Sequence, residues 1–151
     1  MSTATAISQS TLSIETLLGG RRVLQMKHRT ALDWVSVIRQ GLSSAAVDSL
    51  AKTIRVTQSE LAVALGIPER TLARRKKEGT LNSEESAKLV RLARVVGRAN
   101  ETFEDLDTAL DWLKAPNAAL SGATPLSLLD TDIGAESVMD TLGRIEHGVF
   151  A

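Results

Sequence analysis

Apolar residues recur along most of this chain at the three- and four-residue spacing of helices that bury one face. The longest stripe is Leu89, Leu92, Ala93, Val96 and Ala99. It follows Asn82-Ser83-Glu84-Glu85, in which Asn82 and Glu85 stand at capping-box spacing, so a long helix is expected from there to about Asn100 or Glu101. Earlier, Leu32, Val35 and Ile38, with Trp34 alongside, predict a helix over 29–40 that Gly41 ends. Val47, Leu50, Ala51 and Ile54 predict the next, capped by Ser43 or Ser44. After residue 103 a helix is expected over 104–114, with Leu106, Ala109, Leu110 and Leu113 inward and Trp112 near them, stopped by Pro116. A loop over 117–124 and a short turn or helix from Pro125 lead to a last helix with Val138, Leu142 and Ile145 inward and Gly148 at its end. No stretch of useful length alternates with the period of a strand, and no repeat is visible, so the fold is expected to be all-α.

The stretch 57–77, TQSELAVALGIPERTLARRKK, reads as two helices around a tight turn. Thr57 and Glu60 form a capping box, Leu61, Ala62 and Leu65 share one face, and Gly66 suits a left-handed C-cap. Pro68 stands where a helix starts without needing an N–H, and Leu72 is the inward residue of the second helix. At about 100° per residue, Arg70, Arg74 and Lys77 lie nearly opposite Leu72 as a basic outer face. That is the outline of a DNA-binding helix-turn-helix, whose second helix enters the major groove. Arg70, Thr71, Arg74 and Arg75 are the candidates for base or phosphate contacts, because arginine grips guanine with two hydrogen bonds. Lys76 and Lys77 suit phosphate, and Gln58 at the start of the first helix suits the backbone. Arg75 stands where an apolar residue ordinarily clamps the helix, so either its stem is expected to snorkel out or the helix to pack differently. The competing reading of the stretch is an ordinary helical hairpin with a solvated basic face.

Composition narrows the choice. With 151 residues the chain suits one medium domain or two small ones, and its 43% hydrophobic content is that of a folded protein. The absence of cysteine removes disulfides, thiolate catalysis and cysteine-based zinc sites. No apolar run reaches about 18 residues and the start lacks the pattern of a signal peptide, so a cytoplasmic protein without membrane contact is expected. Residues 1–11, rich in Ser, Thr and Ala, are expected to be disordered. Net charge is zero, but residues 1–100 hold 16 Lys/Arg against 8 Asp/Glu, while 101–151 hold 2 against 10. A basic part containing a helix-turn-helix points to nucleic acid, and an acidic part to a different partner.

Little else carries chemistry. Gly19-Gly20-Arg21-Arg22 lacks the Lys-Ser/Thr of a phosphate loop. His28 and His147 are far apart and have no neighbouring set of metal ligands. The paired acids, such as Glu104-Asp105 and Asp130 with Asp132, read as caps and surface. Neither an enzyme nor a cofactor is expected.

The C-terminal part carries a more specific pattern. Trp112-Leu113, Pro116-Asn117, Leu120, Gly122, Thr124-Pro125-Leu126 and Leu129 are followed by Gly134, Leu142, Arg144-Ile145 and Gly148. In order and spacing this resembles the toxin-binding domain of the Xre/MbcA/ParS antitoxin family. Arg70-Thr71-Leu72, Arg74-Arg75, Gly79, Leu81 and Glu85-Ser86 resemble the Xre-type helix-turn-helix that precedes that domain. The resemblance covers roughly 28–149. It implies a helix-turn-helix domain over 12–100 and a toxin-binding domain over 101–151. It also implies an antitoxin of a type II toxin–antitoxin system that blocks the active site of an NAD⁺-depleting RES-domain toxin and represses its own operon. The partners it implies are that toxin and operator DNA, with a homodimer and a higher-order toxin–antitoxin complex. Asn117, Leu120, Arg144, His147, Gly148, Val149, Phe150 and Ala151 are the expected toxin contacts, the apolar tail reaching into a basic dinucleotide cleft. The alternative is a stand-alone helix-turn-helix regulator whose C-terminal domain dimerises or binds a ligand, and a further one is an adaptor whose basic face meets an acidic protein.

Overall fold

A computed structural model describes residues 13–24 and 30–148 of the chain. Those residues form helices and turns, with one isolated bridge between Ser43 and Thr80 and no strand among them. Two single-turn helices, α1 (Ile14–Leu17) and α2 (Arg21–Leu24), precede α3 (Ala31–Gln40) and α4 (Ala45–Ile54). The helix-turn-helix is α5 (Gln58–Leu65) and α6 (Glu69–Glu78). The long α7 (Ser83–Phe103) follows, then α8 (Leu106–Lys114), two 3₁₀ turns (Ala118–Leu120 and Pro125–Leu128) and α9 (Asp132–Glu146). The segments expected at 1–11 and 149–151, and His28, lie outside the described residues.

The molecule is arranged around α7. Its capping box forms as expected: Asn82 Oδ1 accepts from Glu85 N and Glu85 Oε1 accepts from Asn82 N. Leu89, Leu92, Val95, Val96 and Ala99 are all buried, a face too wide for one neighbour. Accordingly α1, α3, α4 and α5 pack on α7 from the N-terminal part, and α8 and α9 from the C-terminal part. One apolar cluster runs from Leu17 and Leu18 through Leu50, Leu61 and Leu72 to Leu113, Leu129 and Leu142. Each fully buried leucine contributes roughly 1.5–3 kcal/mol. The boundary expected near residue 100 thus falls inside α7, and packing crosses it.

Polar contacts cross it too. Arg91 donates from Nε and Nη2 to the Leu129 carbonyl and pairs through Nη1 with Asp132 at 2.6 Å. Lys114 Nζ reaches the carbonyl of Arg55 at 3.0 Å, and Arg55 pairs with Asp107 at 2.6 Å. Within the N-terminal part, Lys88 Nζ reaches the carbonyl of Gly66 at 3.3 Å. Gly66, at φ +69°, closes α5 in the left-handed conformation, where an added Cβ would lie 3.1 Å from Asp130 Cβ.

Several boundaries and faces differ from the sequence expectation. In α3 the inward line is Trp34, Val37 and Ile38, while Leu32 is 76% exposed and Val35 36% exposed. The large indole takes the inward face, and a residue two positions away is turned about 160° from it. Pro68 is the cap and Glu69 the first helical residue: Pro68 has an extended ψ of 138°, and its carbonyl accepts the first bond, from Leu72. Ser44 holds the cap position of α4 without a side-chain bond, whereas Ser43 Oγ accepts from Ala45 N. The chain leaves α7 at Glu104 in a left-handed conformation, two to three residues later than expected, so α8 starts only after its cap Asp105. Thr108 hydrogen bonds, from side chain and backbone, hold the Asp105 carboxyl below its usual range.

Candidate functional site

The helix-turn-helix is rigid at its start, its turn and its end. Thr57 Oγ1 accepts from Glu60 N, and Glu60 Oε1 accepts from Thr57 N. The Thr57 amide and hydroxyl together keep the Glu60 carboxyl below its ordinary value. Leu61, Ala62, Leu65, Ile67 and Leu72 are buried, which fixes α5 against α6. At the far end the Gly79 carbonyl accepts from Ser44 N, and Leu81 N donates to Leu42 O, so the exit of α6 is tied to the α3–α4 connection.

The seven residues expected to meet DNA separate into groups. Arg70, Arg74 and Lys77 are exposed on the outer face of α6, and Thr71 is half-buried beside Leu72. Arg74 approaches Glu78 only at 4.0 Å between exposed atoms, a pairing worth little in water. Lys76 Nζ meets Asp48 at 2.9 Å and Gln58 Oε1 at 3.3 Å, so Lys76 and Gln58 lie together where α4, α5 and α6 meet. Arg75 turns away from the outer face. Its Nε donates to Glu85 Oε1 at 2.7 Å and its Nη1 to Glu78 Oε1 at 2.8 Å. The Glu85 and Glu78 hydrogen bonds raise the Arg75 guanidinium pKa. Burial pushes the Glu85 carboxyl up, but hydrogen bonds from Arg75 and Asn82 and the charges of Arg75 and Arg74 outweigh it, leaving Glu85 below its ordinary value. Arg75 therefore acts as a brace between α6 and the first turn of α7, while Leu72 remains the buried residue of α6. Glu85 is the partner that sequence reading did not assign to it. The signal was its place in the capping box, which fixes where its carboxylate points.

The C-terminal part holds a second site. Leu120 and Arg144 line one pocket of about 350 Å³, together with Ala119, Ser121, Leu128, Ser137, Asp140 and Thr141. Asn117 does not line it but shapes its wall: Asn117 Oδ1 accepts from Ala119 N, and the Asn117 carbonyl accepts from Leu120 and Gly122. His147 caps α9 and Gly148 follows at φ +77°, both exposed just beyond Arg144. Glu146 pairs with Arg98, which anchors the end of α9 to α7. Val149, Phe150 and Ala151, expected to touch the toxin, lie outside the described residues. No group of three or more His, Asp or Glu suited to a metal occurs among the described residues, and no described helix is long and apolar enough to cross a membrane.

Comparison with known proteins matches the two parts of the chain that hold these residues. Residues 33–94 match the antitoxin Xre-like helix-turn-helix domain, and residues 98–148 match the antitoxin Xre/MbcA/ParS C-terminal toxin-binding domain. An antitoxin Xre of Yersinia enterocolitica is 38% identical over 119 residues, covering 78% of this chain and 80% of that protein. The chain belongs to the Xre/MbcA/ParS antitoxin family. An antitoxin Xre of Photorhabdus laumondii is 34% identical over 118 residues, covering 77% of this chain and 80% of that protein. A protein of a Sphingobium species named Prs ADP-ribosylating antitoxin is 27% identical over 130 residues, covering 80% of this chain and 82% of that protein. As an Xre-family antitoxin the chain therefore combines a helix-turn-helix with a toxin-binding domain, and α7 joins the two.

Proposed function

We propose that this antitoxin binds a RES-domain toxin through its C-terminal part, blocks the toxin's NAD⁺-degrading active site, and represses the operon encoding both through α6. Both interactions belong to the cytoplasm. The observation that carries the reading is the pairing, on one continuous core, of a braced helix with a basic outer face and an acidic toxin-binding region. An enzyme that binds an anionic dinucleotide needs a basic cleft, and an acidic partner is steered towards it. Arg70 and Arg74 are the base-contacting candidates, with Thr71 beside them. Lys76, Lys77 and Gln58 meet phosphate, and Arg75 serves as a positioning residue held by Glu85. The exposed Leu32 and Val35 of α3 are the candidate contact for a homodimer on a two-half-site operator.

The experiment is a binding measurement on the promoter fragment against random DNA, joined to co-expression with the neighbouring toxin frame. Arg70→Ala with Arg74→Ala is expected to weaken specific binding by about tenfold or more, since a bidentate guanine contact is worth about 1–3 kcal/mol. The same variant is expected to rescue growth from the toxin as wild type does. Equal binding of wild type and variant to specific DNA overturns the assignment of α6, and failure of wild type to rescue growth overturns toxin inhibition.

A further inference from the structure

The pocket between α9 and the first 3₁₀ turn carries two opposite charges that have no partner among the described residues. Besides His147, residues 98–148 contain three Lys or Arg side chains. Arg98 is engaged by Glu101 and Glu146, and Lys114 by the Arg55 carbonyl. Arg144 has neither an ion pair nor a side-chain hydrogen bond among the described residues, although it stands in the acidic part of the chain. Asp140 lies one turn before it on α9, on the same wall, at the spacing that lets helical ion pairs close. The two do not close on each other, and both are exposed.

Around them the pocket is otherwise settled. Thr141 Oγ1 donates to the Ser137 carbonyl at 2.9 Å and Ser137 Oγ donates to the Ile133 carbonyl at 3.0 Å, so both hydroxyl protons are used within the helix. Leu120 and Leu128, each half-buried, supply apolar lining opposite. The volume of about 350 Å³ is enough for one or two side chains. Apart from the exposed Ser121 hydroxyl, the free polar groups of the site are one cation and one anion in fixed order along α9, beside the apolar Leu120 and Leu128.

We propose that this pocket sets the register of toxin docking: it takes a toxin loop that presents a carboxylate to Arg144 and a cation to Asp140. An apolar side chain of the loop rests on Leu120 and Leu128. The inference rests on the toxin-binding reading above and adds the chemistry of the partner and a second determinant, Asp140. A general acidic attraction to the toxin needs neither residue in particular. A dipolar site needs both, in this order, because like charges placed opposite one another repel and desolvated charges are left without partners.

The test measures the affinity of the purified toxin from the neighbouring frame for full-length variants across a range of salt. Arg144→Glu and Asp140→Arg are each expected to weaken binding by about 30-fold or more, and Arg144→Ala by about tenfold, the range typical of interface anchors. The double swap Asp140→Arg with Arg144→Asp keeps net charge and reverses the order, and it is expected to bind as poorly as the single reversals. Unchanged thermal melting and unchanged promoter binding establish that these variants fold. A swap that binds like wild type means the pocket supplies net charge only and overturns the proposal. Single variants that bind like wild type overturn it as well, while toxin inhibition stands. Wild type that fails to bind the toxin overturns the underlying reading and this inference with it.

Discussion

Arg75 shows how one side chain changes role once its surroundings are known. Its sequence position marked it both as a DNA candidate and as an oddity, since it stands where an apolar clamp is ordinary. The structure resolves the oddity by covering the stem and giving the guanidinium two carboxylates, with its side chain 20% exposed and that of Glu85 9% exposed. Glu85 lies ten residues further on, in another helix, so spacing alone identified the misfit and not its partner. Glu85→Gln keeps the size and the capping acceptor but removes the charge, and it is expected to destabilise the fold by about 1–3 kcal/mol at neutral pH. The pH dependence follows from the direction of the shift. Glu85 is held below its ordinary value, so its contribution is fully present above the unfolded value of about 4.3 and is lost as pH falls through the lower folded value. The stability gap between wild type and Glu85→Gln should therefore be widest near neutrality and narrow in acid. Chemical denaturation at stepped pH measures it, and a gap that does not depend on pH contradicts the assignment.

At the scale of elements, periodicity located the longer helices of the described chain but not the single turns at Ile14–Leu17, Arg21–Leu24 and Ala118–Leu120, and its choice of face failed in α3, where two faces competed. In α3, Leu32, Val35 and Ile38 and the set Trp34, Val37 and Ile38 both fit a helix. Only the volume available against α7 selects the second, and sequence spacing does not carry that volume. The late end of α7 has a similar origin. Asp105 supplies a cap only two residues beyond Phe103, so the chain turns at Glu104 and not where the apolar stripe stops. Two glycines of α9 make the packing testable in opposite directions. A Cβ on Gly134 would lie 1.9 Å from the Leu128 carbonyl, a backbone atom that cannot swing away. Gly134→Ala is expected to cost about 1–3 kcal/mol by separating α9 from the second 3₁₀ turn. Gly143 has nothing within 4 Å of a built Cβ and sits inside the helix, so Gly143→Ala is expected to stabilise by up to about 1 kcal/mol. Thermal melts of the two variants shifting in the same direction would contradict this packing.

Across the whole molecule, the charge division and the two family patterns were legible in sequence, because charge and motif order are linear properties. The joining of the two parts was not. The contacts of Arg91 with Leu129 and Asp132, of Lys114 with the Arg55 carbonyl, and of Arg55 with Asp107 all link residues more than thirty positions apart across the two parts. The close approach of Gly66 to Asp130 sets the turn of the helix-turn-helix against the segment that leads into α9. The pocket at Leu120 and Arg144 was also only half visible: the motif supplied those two residues, while Asp140 and Leu128 join them only through the packing of α9 on the 3₁₀ turns. The central claim is that this acidic part silences an NAD⁺-consuming partner. It is tested most directly by following NAD⁺ in a reaction containing the purified toxin from the neighbouring frame, with and without a slight molar excess of the full-length chain. NAD⁺ should fall with the toxin alone and stay near its starting level when the chain is added, whereas equal loss in both reactions would contradict the account.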